Sequence, residues 1–411
     1  MTATYLRDYE TLTGNGGAKA PWLAGLRQTA LERFQAVGFP GARDEDWRFI
    51  NLAPLTARSF PLATGGGLLP SAAALAPYLI SIPGSRTLVF VNGRFAPSLS
   101  SSPEARPGVT VLNLGSALAS HADLLDRHLG RYASAEASGF TALNTAFMRE
   151  GLLVHVARGA EAGGPIHALF VSDGSQEGAA SYPRNLIVLE AGATASVIES
   201  YVGLGDGSYF TNAVTEGLIG EGARLEHIKI QRESEQAYHV GTTHLRHARD
   251  SRGVSHSVSF GAALCRNNLD VVLDGPGVEA QMLGLYMGRG RQEVEENRDS
   301  PVGHSRRIGQ PEHLLQAHRD DRRSTRVVDR HARAAGDRQV CGRQAAKVLL
   351  LLPAQSTAQR RTEVETPQMR PARDPGQIRS QPKLQVGEQG RVRQVRPRLP
   401  VEAAQDRDPG L

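Results

Sequence analysis

The chain has 411 residues, of which 40% are hydrophobic and 5% aromatic, and its formal net charge is +5. This length is sufficient for two or three domains with cores of their own. Its two cysteines, Cys265 and Cys341, do not support a disulfide framework and indicate a reducing compartment. The N-terminus lacks an apolar signal stretch, and the longest apolar runs are too short to cross a bilayer. We therefore expect a cytoplasmic protein without membrane contact.

Residues 1–84 are predicted to form an N-terminal helical region. Between Ala20 and Gly38 apolar residues recur every three or four positions, as on one face of an amphipathic helix. Pro21 stands near its start and Gly38 at its end, where these residues are favoured. Residues 44–49 predict a short second helix or turn.

Residues 85–150 are predicted to combine a strand with a helical connection. The run Leu88–Val91 predicts a strand, and the following Asn92-Gly93 is a dipeptide typical of hairpin turns. Helical spacing returns between Leu114 and Met148, which predicts one or two helices.

Residues 151–292 have a period of two, which predicts a succession of short strands. Between many of them a Gly precedes a small residue, as in Gly192-Ala193, Gly222-Ala223, Gly261-Ala262 and Gly277-Val278. Sharp corners without helices favour a parallel β-helix, in which each rung buries its apolar face on its neighbours. An antiparallel β-sandwich remains the alternative, because periodicity alone does not separate the two. The predicted strands are Leu152–Val156, Ile166–Val171, Leu186–Leu189, Thr194–Tyr201, Asn212–Ile219, Arg224–Gln231, Tyr238–Leu245, Gly253–Phe260, Leu269–Leu273 and Glu279–Tyr286.

Residues 293–411 form a tail in which the strand pattern stops. No Phe, Tyr or Trp follows Tyr286, and Arg, Pro, Gln and His become abundant. Such a segment has few residues with which to build a core, so we expect it to be disordered. An Arg-rich, aromatic-free tail is what a GC-rich coding sequence yields out of frame, and we hypothesise a frameshift. Without interleaved aromatic residues, we predict no nucleic-acid partner.

Five histidines in the strand region raise the question of a metal site, because imidazole is a common metal ligand. On one strand His244 and His247 point to opposite faces, and no Cys or carboxylate accompanies the histidines at ligand spacing. We favour surface or rung-stacking histidines and leave the metal ligands unassigned. The five are His227, His239, His244, His247 and His256.

A cysteine and several glutamates among the same strands could also take part in chemistry. Cys265 precedes Arg266, and an adjacent cation can lower the pKa of a thiol enough for it to accept sulfur. We favour the alternative, a small buried hydrophobe. Paired carboxylates on a β-helix can cleave glycans, but corner solvation is the commoner role, so we assign no catalytic residue. The glutamates concerned are Glu190, Glu199, Glu216, Glu226 and Glu233.

Two glycine-rich segments, Gly14–Gly17 and Gly65–Gly67, lack the preceding strand and the Lys-Ser/Thr ending of a phosphate loop. They are interpreted as linkers, and we assign no cofactor-binding residue.

Three stretches together carry a family resemblance. They are Pro21-Trp22-Leu23 with Gly38-Phe39-Pro40 and Asp44–Leu52; Pro183-Arg184-Asn185 through Glu190–Ala193 to Tyr209–Asn212; and Glu226-His227 through Asp250-Ser251-Arg252 and Leu273-Asp274-Gly275 to Gly284-Leu285-Tyr286. Over about residues 15–292 the chain resembles the SufB/SufD family of iron–sulfur cluster assembly scaffold proteins. The first stretch is similar to the helical signature of the SufD branch.

The resemblance implies a right-handed parallel β-helix between helical segments. It also implies a non-enzymatic scaffold that pairs with SufB through β-helix strands and binds the ATPase SufC through C-terminal helices. The iron–sulfur cluster is then the product of the complex and not a cofactor held stably by this chain. After Gln292 the last rungs and docking helices of the family are not recognisable, so we expect SufC docking to be lost. The alternatives are a β-helix glycan-processing enzyme and a nonfunctional truncated product.

Overall fold

The computed structural model describes residues 2–14, 20–41, 44–65, 68–101, 105–176, 178–286, 288 and 292–299, with the backbone of 385–386 and 392–393. The chain divides into two units, residues 1–355 and 356–411. In the second unit, two short strands, Gln385–Val386 and Val392–Arg393, pair antiparallel. The other tail residues, 300–384, 387–391 and 394–411, lie outside the described residues. Most of the segment to which the frameshift hypothesis applies is therefore not described.

Helices occupy much of the first 150 residues. They are α1 (Thr2–Gly14), α2 (Pro21–Val37), α3 (Ala53–Thr56), α4 (Ala72–Leu75), α5 (Leu114–Ser120), α6 (Ala122–His128) and α7 (Gly139–Phe147). Helix α2 confirms the predicted amphipathic helix, with Pro21 in its first turn and Gly38 at φ 64° after its last residue. Residues 45–47 form a 3₁₀ turn, as predicted. Helix α1 was not predicted, and the segment 114–147 contains three helices where one or two were expected.

The rest of the first unit consists of strands. They are β1 (Arg86–Val91), β2 (Arg94–Phe95), β3 (Val109–Asn113), β4 (Leu152–Val156), β5 (Ile166–Ser172), β6 (Ala180–Ser181), β7 (Arg184–Leu189), β8 (Thr194–Gly203), β9 (Phe210–Ile219), β10 (Arg224–Arg232), β11 (Tyr238–Ala248), β12 (Arg252–Ser259), β13 (Leu264–Asp274), β14 (Glu279–Tyr286) and β15 (Glu293–Asp299). All ten strands predicted between residues 152 and 286 are present, with some ends moved by a few residues.

Successive strands alternate between two sheets. Within the described residues, the first sheet has the order β14-β12-β10-β8-β5-β1-β2, and the second has the order β15-β13-β11-β9-β7-β4-β3, with β6 beside β9. Pairing is parallel except in β1–β2 and β3–β4. This is a parallel β-solenoid of about four turns, so the predicted β-helix is confirmed and the antiparallel sandwich is wrong.

The corners have the local geometry that their residues favour. Gly192, Gly222 and Gly277 adopt φ values of 71°, 64° and 72°, in the left-handed region that glycine enters without strain. At the corner Gly261-Ala262 the positive φ of 70° falls on Ala262 instead. The dipeptide Asn92-Gly93, with φ values of 47° and 71°, turns β1 into β2 as a hairpin.

The cores lie inside the solenoid and between it and the helices. Inside, apolar side chains stack from rung to rung, and the rings of Phe90, Phe170 and Tyr201 form a ladder with centroid distances of 4.8 and 4.9 Å. Outside, α1, α2, α7 and residues 47–60 pack on the second sheet through a cluster that includes Phe140, Phe210 and Leu264.

The solenoid continues beyond the boundary that we predicted at residue 292. Strand β15 pairs in parallel with β13, with Arg266 opposite Glu295. Its sequence, Glu-Val-Glu-Glu-Asn-Arg-Asp, has only one apolar residue, so hydrophobic alternation did not reveal it. Val294 packs against the buried cluster around Cys265. The other residues of β15 are held by main-chain pairing with β13.

Candidate functional site

The solenoid interior also contains buried polar and charged side chains. Eight buried side chains from β8 to β13 define what we call the interior polar cluster: Glu199, Tyr201, Thr215, His227, Lys229, Glu233, His239 and Asn267. Side chains on a strand alternate between its two faces, so polar residues at every second position share the interior. Their hydrogen-bond partners come mostly from neighbouring rungs.

Glu199 is the first centre of this cluster. Its carboxylate accepts hydrogen bonds from Thr215 Oγ1 at 2.7 Å, Tyr201 OH at 2.7 Å and His227 Nε2 at 3.0 Å. Burial alone raises the pKa of Glu199, but the His227 hydrogen bond and charge, Lys229 and Thr215 outweigh it and lower the pKa to about 2. Because Nε2 of His227 must donate to the carboxylate, its Nδ1 accepts from Ser255 at 3.0 Å when the ring is neutral.

Glu233 is the second centre. It accepts from His239 Nδ1 at 2.7 Å, Thr211 Oγ1 at 2.6 Å and Gln231 Nε2 at 3.1 Å. Burial opposes its charge, but His239 and the hydrogen bonds lower the pKa of Glu233 overall. The pKa of His239 is also lowered, because burial outweighs the attraction of Glu233. Within the described residues, Nε2 of His239 has no hydrogen-bond partner.

Lys229 lies between the two centres. Its ammonium donates to Asn267 Oδ1 at 2.7 Å and lies 5.2 Å from the centre of the Tyr201 ring, in cation–π geometry. The absence of a side chain at Gly241 makes room for it, because a Cβ there would overlap Lys229 Nζ. The Lys229 charge thus offsets part of the charge of the buried Glu199 carboxylate, as a buried charge requires.

Among the described residues, no group of three or more His, Cys, Asp or Glu is arranged so that it could hold a metal ion. His227 and His239 belong to the interior polar cluster. His244 pairs with Asp270 at 2.9 Å on the outer face, and His247 faces Ser251 at 3.2 Å. His256 is buried at 8% exposure.

Carboxylates do lie beside three of these histidines, although none accompanies them at metal-ligand spacing in the sequence. His227, His239 and His244 each contact one, from Glu199, Glu233 and Asp270. Two of these carboxylates lie on a neighbouring rung, 28 and 26 residues away in sequence. Local spacing does not reveal such pairs, because the strand register decides them.

The predicted glutamates are mostly buried, contrary to the corner-solvation role that we favoured. Glu199 and Glu233 belong to the interior polar cluster, and Glu216 is fully buried against Arg184. Glu190 and Glu226 are on the outside, where they accept hydrogen bonds from His155 and Ser196. All five carboxylates thus accept hydrogen bonds from imidazole, guanidinium or hydroxyl groups, which argues against the proton-shuttling pair of a glycan-cleaving enzyme.

Arg184 and Glu216 join the solenoid to the helical layer. Arg184 Nη2 donates to Glu216 at 2.6 Å, and neither side chain is exposed. Glu216 also accepts from the backbone N–H groups of Gly130, Tyr132 and Ala133. The sequence gives no spacing signal for Arg184 or Lys229, because each is an isolated cation.

Cys265 is fully buried beside Tyr209, Ala237 and Ala262, and its Sγ lies 3.5 Å from Asn267 Nδ2. This is the environment of the small buried hydrophobe that we favoured. Its neighbour Arg266 points to the opposite face of the strand, so the adjacent cation does not reach the thiol. Cys341 lies outside the described residues.

The solenoid ends in two strands whose far edges are unpaired within the described residues. Strand β14 pairs with β12, and β15 pairs with β13, and no described strand lies beyond either. Leu285 on β14 is 43% exposed. A strand edge carries main-chain N–H and C=O groups to which a further strand, of this chain or of another, can add. We call this end of the solenoid the open end.

In the described part of the chain, no helix has the length and apolar character that crossing a membrane requires.

Comparison with known proteins matches two family models. Residues 5–168 match the SufBD protein N-terminal region, and residues 170–304 match the SufBD core domain of the SUF system for FeS cluster assembly. An iron–sulfur cluster assembly SufBD family protein of Synechocystis sp. is 32% identical over 67% of this chain and 62% of its own length. The iron–sulfur cluster assembly protein SufD of Escherichia coli is 28% identical over 63% of this chain and 58% of its own length. The chain thus matches about three fifths of each relative, and it belongs to the SufBD family of iron–sulfur cluster assembly proteins, in which it is similar to SufD.

Proposed function

We propose that this chain is a non-catalytic scaffold subunit of a cytoplasmic Suf complex, in which it pairs with SufB and works with the ATPase SufC. The observation that carries the proposal is the open end of the solenoid in a chain of this family. The iron–sulfur cluster is the product of the complex, and this chain holds no cofactor stably. Its role is to provide a rigid surface on which other subunits assemble.

Strand addition is the physical basis of the pairing. A strand from SufB that aligns with β14 or β15 forms main-chain hydrogen bonds along the whole edge, and side chains on both strands set its position. Leu285 offers an apolar contact on β14 for such a strand. The interior polar cluster is largely satisfied by its own hydrogen bonds, which supports a structural role for it.

SufC docking depends on C-terminal helices in the family, and the corresponding part of this chain lies outside the described residues. Because the docking helices that the resemblance implies are not recognisable in the sequence after Gln292, we expect SufC docking on this chain to be lost. Co-purification of the chain with SufC at normal stoichiometry would contradict it.

The test is to co-express the full chain with SufB and measure complex formation by light scattering after size exclusion. We expect a one-to-one complex, and Leu285→Glu is expected to weaken it about tenfold, equivalent to about 1.4 kcal/mol. The matched control is Leu68→Glu, since Leu68 is 95% exposed in the N-terminal region. Failure of the unmodified chain to bind SufB would exclude the proposed pairing.

A further inference from the structure

The N-terminal segment Glu45–Leu52 reaches the last described strand of the solenoid. The indole ring of Trp47 packs on Phe140 of α7 with centroids 4.9 Å apart. The guanidinium of Arg266, on β13, lies 4.5 Å from the centre of the same Trp47 ring. Trp47 and Arg266 are 6% and 1% exposed, so the contact is buried.

Arg266 also contacts β15, so it links Trp47 to that strand. Its guanidinium forms an ion pair with Glu295, which is its direct neighbour across the parallel ladder, and its Nε donates to Asn268 Oδ1 at 2.8 Å. In addition, the backbone N–H of Asn51 donates to Glu293 Oε2 at 3.0 Å. Two separate contacts therefore tie residues 47–51 to residues 293–295.

Strand β15 needs such contacts to fix its register. A shift of one residue turns every side chain of a strand to the opposite face, and buried apolar residues normally prevent it. The sequence of β15 contains a single apolar residue, Val294, so hydrophobic burial specifies its register weakly. The pairs Arg266–Glu295 and Asn51–Glu293 are both lost in a shifted register, because the two glutamates would then face the interior.

We propose that Trp47, Arg266 and Glu295 form a clamp through which the N-terminal segment sets the register of β15 and preorganises the open end for a partner's strand. Trp47 and Arg266 are positioning residues in this device. The second part of the proposal rests on the proposed function, whereas the clamp itself is a property of the free chain.

Hydrogen exchange of the full chain, measured by mass spectrometry, tests the clamp without a partner. Arg266→Ala is expected to accelerate exchange of the amides in 293–299 at least tenfold and to leave those of β8 and β10 unchanged. Arg252→Ala is the matched control, because Arg252 pairs with Glu279 across the neighbouring β12–β14 ladder but is exposed to solvent. If Arg266→Ala does not fold, Glu295→Gln at a partly exposed position serves instead. Unchanged exchange in 293–299 with either variant overturns the clamp.

The aromatic contact is tested by two substitutions at Trp47. Trp47→Phe keeps an aromatic face for the guanidinium, whereas Trp47→Leu keeps only apolar volume. We expect Trp47→Phe to retain more protection of 293–299 than Trp47→Leu. Equal protection in the two variants would assign Trp47 to packing alone and overturn its part in the clamp.

Fluorescence connects the clamp to partner binding. The chain has two tryptophans, so Trp22→Phe leaves Trp47 as the only reporter. Titration of this variant with SufB is expected to shift the Trp47 emission, and adding Glu295→Gln is expected to weaken SufB binding at least threefold. Unaltered affinity with Glu295→Gln overturns the link between clamp and pairing. Absence of any complex between the unmodified chain and SufB overturns the proposed function. In that case, hydrogen exchange of the free chain still tests whether the clamp sets the register of β15.

Discussion

The Arg184–Glu216 pair shows how single buried charges join the two layers of the molecule. Glu216 accepts hydrogen bonds from the Arg184 guanidinium and from three backbone N–H groups of residues 130–133. Arg184 in turn donates to Asn144 Oδ1, Thr145 Oγ1 and the carbonyl oxygen of Ala133. A buried ion pair with all its hydrogen bonds satisfied stabilises little in itself, but removing one partner leaves the other charge stranded.

Glu216→Gln is therefore expected to lower the free energy of unfolding by about 3–5 kcal/mol, because the buried Arg184 loses its counter-charge. Urea denaturation followed by circular dichroism measures the change. Glu190→Gln, which removes an exposed partner of His155, is the control and is expected to cost less than about 1 kcal/mol. Equal effects of the two substitutions would contradict the structural role of the buried pair.

His167 is expected to make the stability of the protein depend on pH. It is fully buried, its Nε2 lies 2.9 Å from Ser200 Oγ, and burial, together with Arg232, lowers its pKa from 6.5 to about 3. Between these pH values the unfolded state binds more protons than the folded state, so the free energy of unfolding falls as the pH is lowered from 6.5 toward 3.

The measurement is the free energy of unfolding at several pH values between 7 and 4 for the unmodified chain and for His167→Gln. We expect the variant to have a shallower slope, by up to about 1.4 kcal/mol per pH unit. His247, whose pKa burial lowers to about 4, keeps its contribution in both proteins. An identical slope would show that His167 is not neutral in the folded protein.

At the scale of strands, register decides which polar residues meet. The Glu216 carboxylate reaches the helical layer while Thr215, its neighbour on β9, faces the interior, because successive residues alternate between the faces. The interior polar cluster also depends on a vacant position in β11, where Gly241 leaves space for the Lys229 ammonium.

Gly241→Ala is expected to destabilise the chain by about 1–3 kcal/mol, because the new methyl group overlaps Lys229 Nζ. If the lysine causes the clash, Gly241→Ala costs less in a Lys229→Ala background than in the unmodified chain. A double-mutant cycle of unfolding free energies measures this coupling. Strict additivity would place the strain elsewhere, for example against Asn267.

The strands were predictable from the sequence, and the pairs across them were not. Alternation identified ten strands between residues 152 and 286, and Gly192, Gly222 and Gly277 marked their corners because glycine adopts positive φ without strain. Strand β15 was missed because it has one apolar residue. Its link to Trp47 runs through Arg266, and these residues are far apart in sequence. The pairing of His227 with Glu199 likewise needs the register of β8 on β10, which no local pattern supplies.

At the scale of the whole molecule, the family match and the described part of the strand array end close together. The core family model ends at residue 304, and the last described strand of the first unit ends at Asp299. The aromatic-free composition of the tail begins slightly earlier, after Tyr286. The change of reading frame that we hypothesised for residues 293–411 is therefore now placed after Asp299, because the core family match continues to residue 304.

Peptide mapping of the native protein tests the frameshift directly. We expect peptides beyond about residue 300 to contain aromatic residues that are absent from the present sequence. Intact mass gives an independent measure of the same difference. Recovery of peptides that match residues 305–411 as printed would contradict the frameshift and establish a divergent C-terminal segment.

The contact between Asn51 and Glu293 also has a consequence for the order of folding. Solenoid rungs join neighbours about 30 residues apart, so they can form while the chain is still being synthesised. The N-terminal segment can form its contact with β15 only much later in synthesis, because Asn51 and Glu293 are 242 residues apart. Until β13 and β15 leave the ribosome, Trp47 and Ile50 lack part of the surface that covers them. During that interval the growing chain exposes apolar surface, and a slow closing phase and a need for chaperones are the expected results.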